Sequence, residues 1–278
     1  MQRPFDIDAF LAHALMEDVG EGDITSNSTV PADLRARLVM RAREPLVAAG
    51  LTFLPRLFQL VDPQVKVALI AADGDNLKAS DVLAIFEGPA RSLLTGERVA
   101  LNLVQQLSGV ATLTSAFVAA ANNRAVKVVD TRKTVLGMRY LQKYAVRCGG
   151  GHNHRMGLYD AVLIKDNHIA IAGSVTAAVQ GALAGTPPGT PIEVECDTLA
   201  QVDEAIAAGA TMLLLDNMDD TTLRAAVAKA RAAGIHTEAS GNVSLETIGA
   251  IAQTGVDVIS VGKLTHSARA VDIGLDEK

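Results

Sequence analysis

Apolar and polar positions after residue 109 repeat one pattern: a short apolar run, a polar segment, and then a stretch with helical spacing. Most of the helical stretches are rich in alanine and are closed by glycine, as in LAQVDEAIAAG at 199–209. Near-continuous apolar strands that alternate with helices are typical of a parallel sheet covered by helices. The predicted strands are VKVVD (126–130), AVLIKD (161–166), PIEVEC (191–196), TMLLLDN (211–217), IHTEASG (235–241) and VDVISVGK (256–263).

The length of this second part limits its architecture. About 165 residues follow residue 109, whereas eight strand–helix units usually require at least ~200. We therefore expect an incomplete parallel α/β barrel of six or seven strands. An open, doubly wound sheet is the alternative architecture.

The first part of the chain combines helical periods with alternating strands. Residues 92–109 give the clearest helix, because Leu93, Val104 and Leu107 fall near one apolar stripe. Gly109 is predicted to end this helix, and we place a domain boundary there. The other predicted elements are a helix at 5–17, a strand at 34–43, a helix at 51–61 and strands at 66–71 and 82–88.

Composition narrows the possible functions. Aromatic residues make up 3% of the chain and Trp is absent, which argues against stacking platforms for single-stranded nucleic acid. A net charge of −6 argues against a general binder of phosphate backbones. The two cysteines are too few for a disulfide framework and indicate a reducing compartment. The N-terminal residues lack the apolar segment of a signal peptide, and no run approaches the ~18–20 apolar residues of a membrane span. We therefore expect a cytoplasmic protein that binds neither nucleic acid nor membrane.

Positive charge is concentrated in one glycine-rich segment of this acidic protein. Residues 127–165 contain eight Lys or Arg and only two acids, Asp130 and Asp160. An acidic protein that gathers its cations in this way is expected to hold an anion there.

Polar side chains end most of the predicted barrel strands. In a barrel these carboxyl ends meet at one mouth, where active sites lie. Arginine offers a bidentate fork to carboxylate or phosphate, whereas facing acids suit a divalent cation or a developing positive charge. The cations are Arg132, Lys133, Arg155 and Lys165, and the acids are Glu195 and Asp216.

Small residues follow the last two predicted strands, as SGN at 240–242 and SVGK at 260–263. Barrels often bind phosphate at this place through backbone N–H groups. The chain has neither a Walker A sequence nor a GxGxxG that opens a helix, which excludes P-loop and Rossmann nucleotide sites.

Some cationic and sulfur side chains have simpler interpretations. Arg139, Lys143 and Arg147 have helical spacing, which favours a solvated helix face. Cys148 lies beside glycines and cations, but no base accompanies it, so we interpret it as inert.

The histidines do not indicate a metal site. His152, His154 and His168 lack a further acidic or Cys ligand at suitable spacing, so zinc is not favoured. Glu193 and Glu195 share one face of a strand, and one of them is a possible structural partner for an arginine.

Long motifs resemble the quinolinate phosphoribosyltransferase family. The strongest are DTRKT (130–134), KYAVRCGGGHNHRMGLYD (143–160) and LIKDNHI (163–169). One departure is Leu136, where the family usually has Pro, which we expect to change the stiffness of the loop. Further similar segments are EDVGEGDITS (17–26), GPARSLLTGERVALNLVQQLSGVAT (88–112), IEVEC, LLLDNM, EASGN and ISVGKLTHS.

The resemblance implies an N-terminal α/β sandwich domain at 1–108 and a C-terminal incomplete α/β barrel at 109–278. It also implies that quinolinate and phosphoribosyl pyrophosphate react, with Mg²⁺, to give nicotinate mononucleotide, pyrophosphate and CO₂. A homodimer is implied as well, in which the N-terminal domain of one subunit caps the barrel mouth of the other.

The resemblance also implies roles for individual residues. Quinolinate would be held by Arg132, His154, Arg155 and Lys165 of the barrel and by Arg98 of the other subunit. Lys133, Lys165, Glu195 and Asp216 would be catalytic, with the two acids holding the ribose hydroxyls and Mg²⁺. Lys133 would also reach the phosphate or pyrophosphate, and Thr131 is a further implied substrate ligand. The 5′-phosphate would be held by Ser240, Gly241, Asn242, Ser260 and Gly262.

Three alternatives stay open at this point. One is a barrel aldolase in which Lys165 forms a Schiff base. The others are a paralogue of the same fold that serves molybdenum uptake and a non-catalytic anion-binding module, although a pure anion binder has no use for the acids. For the reaction that the resemblance implies, Lys165 and His154 are both candidates to protonate C2 of the pyridine ring after decarboxylation.

Overall fold

The computed structural model describes residues 5–277 of the chain. These residues divide into two compact units. The outermost residues of the two predicted domains, 1–4 and 278, lie outside the described part. The first unit comprises residues 5–114, 140–150 and 267–277, and the second comprises residues 115–139 and 151–266.

Helices and strands alternate along most of the described chain. The helices are α1 (Ile7–Val19), α2 (Ile24–Thr29), α3 (Leu54–Val61), α4 (Ala90–Ala121), α5 (Arg139–Cys148), α6 (Asp166–Ala172), α7 (Val175–Gly185), α8 (Leu199–Ala208), α9 (Asp220–Ala232), α10 (Ile248–Ala252) and α11 (Lys263–His266). The strands are β1 (Arg35–Ala42), β2 (Leu46–Val47), β3 (Lys66–Leu69), β4 (Asn76–Leu77), β5 (Val82–Pro89), β6 (Lys127–Val129), β7 (Val162–Ile164), β8 (Ile192–Cys196), β9 (Met212–Asp216), β10 (His236–Ser240), β11 (Val258–Ser260) and β12 (Ile273–Glu277).

An antiparallel sheet forms the framework of the first unit, in the order β12–β1–β5–β3. The sequence predicts three of these strands, but β12 was not predicted. It pairs with β1 through Met40 and Leu275. The buried rings of Phe58 in α3 and Phe86 in β5 lie 4.9 Å apart, so the helix and the sheet share an apolar core. The predicted α/β character of this part is confirmed.

A parallel sheet forms the second unit, in the order β6–β11–β10–β9–β8–β7. All of its pairings are parallel, and the face of the sheet opposite Glu193 is apolar, as in Val194, Leu213 and Ile259, which are each 0% exposed. The order starts and ends with strands that are consecutive in sequence, as expected for a barrel interrupted between β6 and β7. The predicted incomplete parallel α/β barrel is confirmed.

An irregular segment runs beside β6 at this interruption. The N–H of His152 donates to the Val128 carbonyl at 2.8 Å, and the N–H of Asp130 donates to the His152 carbonyl at 3.2 Å. The segment that carries His154 and Arg155 is thereby held against the edge of the sheet.

Gly109 lies inside α4, so the prediction that it ends this helix is wrong. A Cβ built on Gly109 would lie 1.9 Å from the carbonyl oxygen of Arg269. Glycine is therefore required where two segments of the first unit approach each other closely. This requirement overrides the usual role of glycine at a helix end.

We expect Gly109→Ala to lower the free energy of unfolding by about 1–3 kcal/mol, because the methyl group overpacks against a backbone carbonyl. Gly181 in α7 is a matched control, since a Cβ there would meet nothing within 4 Å. Gly181→Ala should be neutral or stabilising by up to about 1 kcal/mol. Urea unfolding curves of both variants test this, and equal midpoints would contradict it.

The helix α4 has the length and composition of a membrane-crossing helix, with a mean hydropathy of 1.3 over its most apolar window. Half of that window is buried inside the protein. A buried core helix passes the same test, so the finding is weak evidence for a span. The helices α6 and α7 pass it only as a pair, bent by 93°.

The helix α5 is confirmed, but the predicted solvated face is wrong for Lys143, which is 0% exposed. Its neighbour Tyr144 donates its hydroxyl to Asp73 at 2.6 Å. Burial and the charge of Asp73 raise the pKa of the Cys148 thiol to about 11. Cys148 therefore stays protonated near neutrality, in agreement with its interpretation as inert.

Candidate functional site

The carboxyl ends of the parallel strands bring the predicted barrel residues to one edge of the sheet. Asp216 ends β9 and pairs with Ser240, which ends β10. Glu195 of β8 pairs with Leu214, two residues before Asp216 and on the same face of β9. The acids predicted from the sequence thus lie on neighbouring strands and face the same side.

A buried acid joins the loop after β6 to the segment that fills the interruption. Asp130 is 0% exposed. Its carboxylate accepts the side-chain amide of Asn153 at 2.5 Å and the N–H of His154 at 3.1 Å. Arg132 follows Asp130 and Arg155 follows His154 in the chain, so the fold fixes the backbone from which both arginine side chains extend.

Arg139 supports the same loop and does not lie on a solvated face, so that part of the prediction is wrong. It is half-buried, and its guanidinium donates to the carbonyl of Arg132 at 3.2 Å, to the hydroxyl of Thr134 at 3.1 Å and to the carbonyl of Met156 at 3.2 Å. The five donors of arginine suit this bridging of two loops.

Arg132 and Arg155 form a pair of like charges. Arg132 has a buried Nε with no hydrogen-bond partner among residues 5–277. Burial and the neighbouring charge of Arg132 lower the pKa of Arg155, whose guanidinium also donates to the carbonyl of Ala161 at 3.1 Å. Two half-buried cations that repel each other are stabilised when an anion lies between them.

Lys165 and Glu195 form an ion pair across β7 and β8. Lys165 is the N-cap of α6, and its side chain is 46% exposed, whereas that of Glu195 is 13% exposed. The ring of His168 accepts the backbone N–H of Lys165 at 2.9 Å, which fixes the start of this helix. His168 therefore has a capping role here.

His154 lies between two buried acids of the barrel interior. Its Nε2 is 3.2 Å from Glu193 and 3.3 Å from Glu238, which are 5% and 1% exposed. Burial opposes protonation of His154, but the hydrogen bonds and charges of the acids outweigh it and raise the pKa to about 10. Burial and the charge of Glu238 also raise the pKa of Glu193, against the lowering effect of His154.

The spacing of this cluster would allow a metal ion, since its three ligand atoms lie within 4.8 Å of one another. The hydrogen bonding of the ring argues against one. The N–H of Arg155 donates to Nδ1 of His154 at 2.7 Å, which leaves the ring proton on Nε2, where a metal would bind. The proton on Nε2 of His154 then faces Glu193 and Glu238.

A cavity of about 340 Å³ adjoins the cluster on the side of the amino ends of the strands. Its wall includes Lys127, Met212 and Val258, the first residues of β6, β9 and β11. The cluster thus lies below the edge where Asp216 and Ser240 end their strands.

The loops after β6 and β11 contact each other. The hydroxyl of Thr265 donates to the carbonyl of Lys133 at 2.7 Å. A Cβ on Gly262 would lie 3.1 Å from Cδ of Lys133, so the lysine side chain passes over this glycine. Ser260 is buried at the end of β11, and Thr131 accepts the N–H of Lys133 at 3.0 Å.

The loop after β10 is tightly turned. Gly241 has φ +93°, and a Cβ there would lie 2.2 Å from the side-chain oxygen of Asn217. Asn242 donates its side-chain amide to the same oxygen at 3.2 Å. The segment Ser240–Gly241–Asn242 therefore turns over the end of β9.

Arg98 belongs to the first unit, where it is exposed on α4. Its neighbour Glu97 is half-buried, and burial raises its pKa despite the charge of Arg98. The other predicted site residues all belong to the second unit.

Several residues of this region were missed or underrated by the sequence reasoning. Either Glu193 or Glu195 was expected to be a possible partner of an arginine, and Glu238 and Asn217 were seen only as polar strand ends. The alternation of inward positions along β8 and β10 identifies both glutamates as interior, but the partner His154 comes from an irregular segment that no period reveals.

Sequence profiles of one family match nearly the whole chain. The profile "Quinolinate phosphoribosyl transferase, N-terminal domain" matches residues 23–108. The profile for the C-terminal domain of the same family matches residues 110–276.

Related proteins and solved structures agree with these profiles. A probable nicotinate-nucleotide pyrophosphorylase [carboxylating] of Bacillus subtilis is 46% identical over 96% of this chain and 91% of its own length. A nicotinate-nucleotide pyrophosphorylase [carboxylating] of Mycobacterium leprae is 45% identical over 96% and 95%. The crystal structure of NadC from Streptococcus pyogenes is 42% identical, with a TM-score of 0.94 over 99% of this chain and 97% of that one.

Proposed function

The chain belongs to the quinolinate phosphoribosyltransferase family, and we propose that it transfers the phosphoribosyl group of phosphoribosyl pyrophosphate to quinolinate with loss of CO₂. The products are nicotinate mononucleotide, pyrophosphate and CO₂, and the enzyme is a nicotinate-nucleotide pyrophosphorylase (carboxylating) of NAD biosynthesis. The relatives are named for this reaction, and their identity to this chain over nearly its full length supports the same reaction here.

The observation that carries this proposal is the pair of guanidinium groups on Arg132 and Arg155. Quinolinate has two adjacent carboxylates, which repel each other and need more than one cation to be bound together. Such a dianion would accept a hydrogen bond from the buried Nε of Arg132. It would also offset the burial and the repulsion that lower the pKa of Arg155. Lys165 and His154 complete the proposed quinolinate site, together with Arg98 of a second subunit.

The phosphoribosyl group is proposed to lie along the loops after β6, β10 and β11. Lys133 lies over Gly262, which supports its contact with a phosphate or pyrophosphate bound at that glycine, with Thr131 beside it. The 5′-phosphate is assigned to the turn of Ser240, Gly241 and Asn242 and to Ser260 and Gly262, where backbone N–H groups can converge.

Glu195 and Asp216 suit Mg²⁺ by their chemistry. Magnesium prefers oxygen ligands and usually takes only one or two carboxylates, since water and substrate phosphates complete its shell. Two carboxylates on neighbouring strands, facing the same side, meet this requirement. The ion would neutralise charge on the pyrophosphate leaving group.

The same acids have a second role in the proposed chemistry. Departure of pyrophosphate leaves positive charge on the ribose, and carboxylates held beside it stabilise that charge without reorganisation. The alkylated pyridine nitrogen then accepts the electrons released when the C2 carboxylate leaves as CO₂. Lys165 and His154 remain the candidates for protonating C2.

The alternatives gain no support from the geometry. A Schiff-base lysine acts as a neutral amine, whereas Lys165 is ion-paired with Glu195 and half exposed. A paralogue in molybdenum uptake and a binding module are distinguished by the assay below. We also propose a cytoplasmic homodimer with small-molecule substrates only, in which the N-terminal domain at 1–108 caps the partner's barrel domain at 109–278.

The direct test is to incubate the protein with quinolinate, phosphoribosyl pyrophosphate and Mg²⁺ and to measure nicotinate mononucleotide. Absence of product from folded protein would refute the proposed function.

The same assay tests the substrate class, and we expect quinolinate to be used in preference to nicotinate. A charge-assisted hydrogen bond to a buried anion contributes about 1.5–3 kcal/mol, so losing one carboxylate should lower kcat/KM by roughly 10- to 100-fold or more. Arg155→Met should reduce the use of quinolinate strongly. Arg224→Met is the matched control, because Arg224 lies on α9 and donates to the Gln253 carbonyl. Equal turnover of nicotinate and quinolinate would contradict the expected preference for quinolinate.

A further inference from the structure

Asn217 connects two parts of the proposed site through a chain of side-chain amides. The amide of Asn242 donates to the side-chain oxygen of Asn217 at 3.2 Å. The amide of Asn217 in turn donates to the carboxylate of Asp216 at 2.5 Å. A continuous hydrogen-bonded path thus runs from the turn after β10 to the acid that ends β9.

The orientation of these amides is set by charge. The carboxylate of Asp216 can only accept hydrogen bonds when it is ionised, so the NH₂ group of Asn217 faces it. The oxygen of Asn217 then faces Asn242, which offers its own NH₂ group. Each donor points toward the negative charge, an arrangement in which hydrogen bonds polarise and strengthen one another.

The backbone at both asparagines is also unusual. Within residues 5–277 only four non-glycine residues have positive φ, and two of them are Asn217 at +52° and Asn242 at +48°. Asparagine tolerates this left-handed conformation better than most residues, but it still costs energy. Such conformations persist where the surroundings determine them and are concentrated at functional sites.

Neighbouring contacts hold Asn217 in this conformation. Its N–H donates to the Ser240 carbonyl at 3.0 Å. Its side-chain oxygen fills the space in which a Cβ of Gly241 would lie, at 2.2 Å. The turn after β10 therefore requires both a glycine at 241 and a residue with a positive φ at 217.

We propose that Asn217 is a positioning residue that couples the turn Ser240–Asn242 to the orientation of the Asp216 carboxylate. The proposal deepens the proposed function and rests on it, because it assumes that the turn binds the 5′-phosphate and that Asp216 serves the ribose and Mg²⁺. Binding of the phosphate at the turn then fixes Asn242, and through Asn217 it holds Asp216 in the orientation that the ribose requires. The role is assigned to the amide of Asn217 and not to its backbone.

The test separates the amide from the backbone by the variant Asn217→Gly, since glycine keeps the positive φ and removes the side chain. Binding is measured without turnover, by calorimetry of phosphoribosyl pyrophosphate and Mg²⁺ in saturating phthalate. Phthalate has two adjacent carboxylates but no ring nitrogen, so no transfer can occur. We expect the variant to bind phosphoribosyl pyrophosphate at least tenfold more weakly and phthalate within twofold of wild type.

Asn122→Gly is the matched control, because Asn122 also has a positive φ, +45°, but lies just beyond the end of α4. It should bind both ligands as wild type does. Asn217→Gly, Asn242→Gly and the double variant are then compared. The double variant should lose at most about twofold more affinity for phosphoribosyl pyrophosphate than the weaker-binding single variant, because the effects of coupled residues are not additive.

The outcomes distinguish the two levels of the proposal. If wild-type protein forms no nicotinate mononucleotide, the proposed function fails. If wild type is active but Asn217→Gly binds phosphoribosyl pyrophosphate within twofold of wild type, only the positioning role is overturned. Additive losses in the double variant would also overturn it, since Asn217 and Asn242 would then act separately.

Discussion

Asp216→Asn is expected to lower kcat by about 100- to 1,000-fold, the usual cost of removing one group that stabilises transition-state charge. The substitution keeps the shape of the side chain and its acceptor toward Asn217, so the strand end should stay folded. Affinity for quinolinate should change little, because the carboxylate acts on the ribose. Steady-state kinetics with both substrates varied separates the effect on kcat from that on KM.

Asp219→Asn provides the control for Asp216→Asn. Asp219 caps α9 by accepting the N–H of Thr222 at 2.8 Å, and asparagine caps helices as well as aspartate does. This variant should retain full activity. If Asp216→Asn instead lowers only the melting temperature and leaves kcat unchanged, Asp216 is structural and has no part in the mechanism.

The second large effect concerns Arg98, which we expect to act on the active site of the other subunit. Arg98→Ala and Lys165→Ala should each be nearly inactive as homodimers. In a mixed dimer one site carries both lesions and the other carries neither. Random re-pairing of equal amounts should therefore restore about a quarter of wild-type activity, since half of the dimers are mixed and each has one intact site.

A second pair of variants controls for recovery by any other route. Lys165→Ala mixed with Asp216→Asn should restore nothing, because both residues belong to the same barrel and every mixed site keeps one lesion. Subunit exchange is verified by mass spectrometry of differently tagged chains. If exchange occurs and Arg98→Ala is still not complemented by Lys165→Ala, Arg98 does not act across the interface.

All six strands of the parallel sheet could be predicted because their signal is local. Apolar runs such as TMLLLDN end in polar residues, and parallel strands place those ends at one edge. The acids Glu195 and Asp216 were therefore expected together, and the register of β8 and β9 brings them to the same face. The motifs of the glycine-rich segment indicated the family, and through it the reaction.

The errors arose where a distant contact decided the structure. Gly109 continues α4 because the carbonyl of Arg269 lies against it, and no local signal reveals that neighbour. Lys143 is buried although its spacing with Arg139 and Arg147 resembles a solvated face. The cluster around His154 joins an irregular segment to two strands, so its members have no common period.

The pairing of β12 with β1 determines when the first sheet can be completed during translation. The strand β1 is central in its sheet, yet one of its two partners, Ile273–Glu277, comes after all the strands of the barrel in the chain. The whole barrel is translated between them, which takes roughly ten seconds or more at 5–20 residues per second. During that time β1 presents an unpaired edge, the kind of surface on which chains aggregate. A nascent chain that stalls before β12 would therefore carry an incomplete first sheet, which chaperones would need to shield.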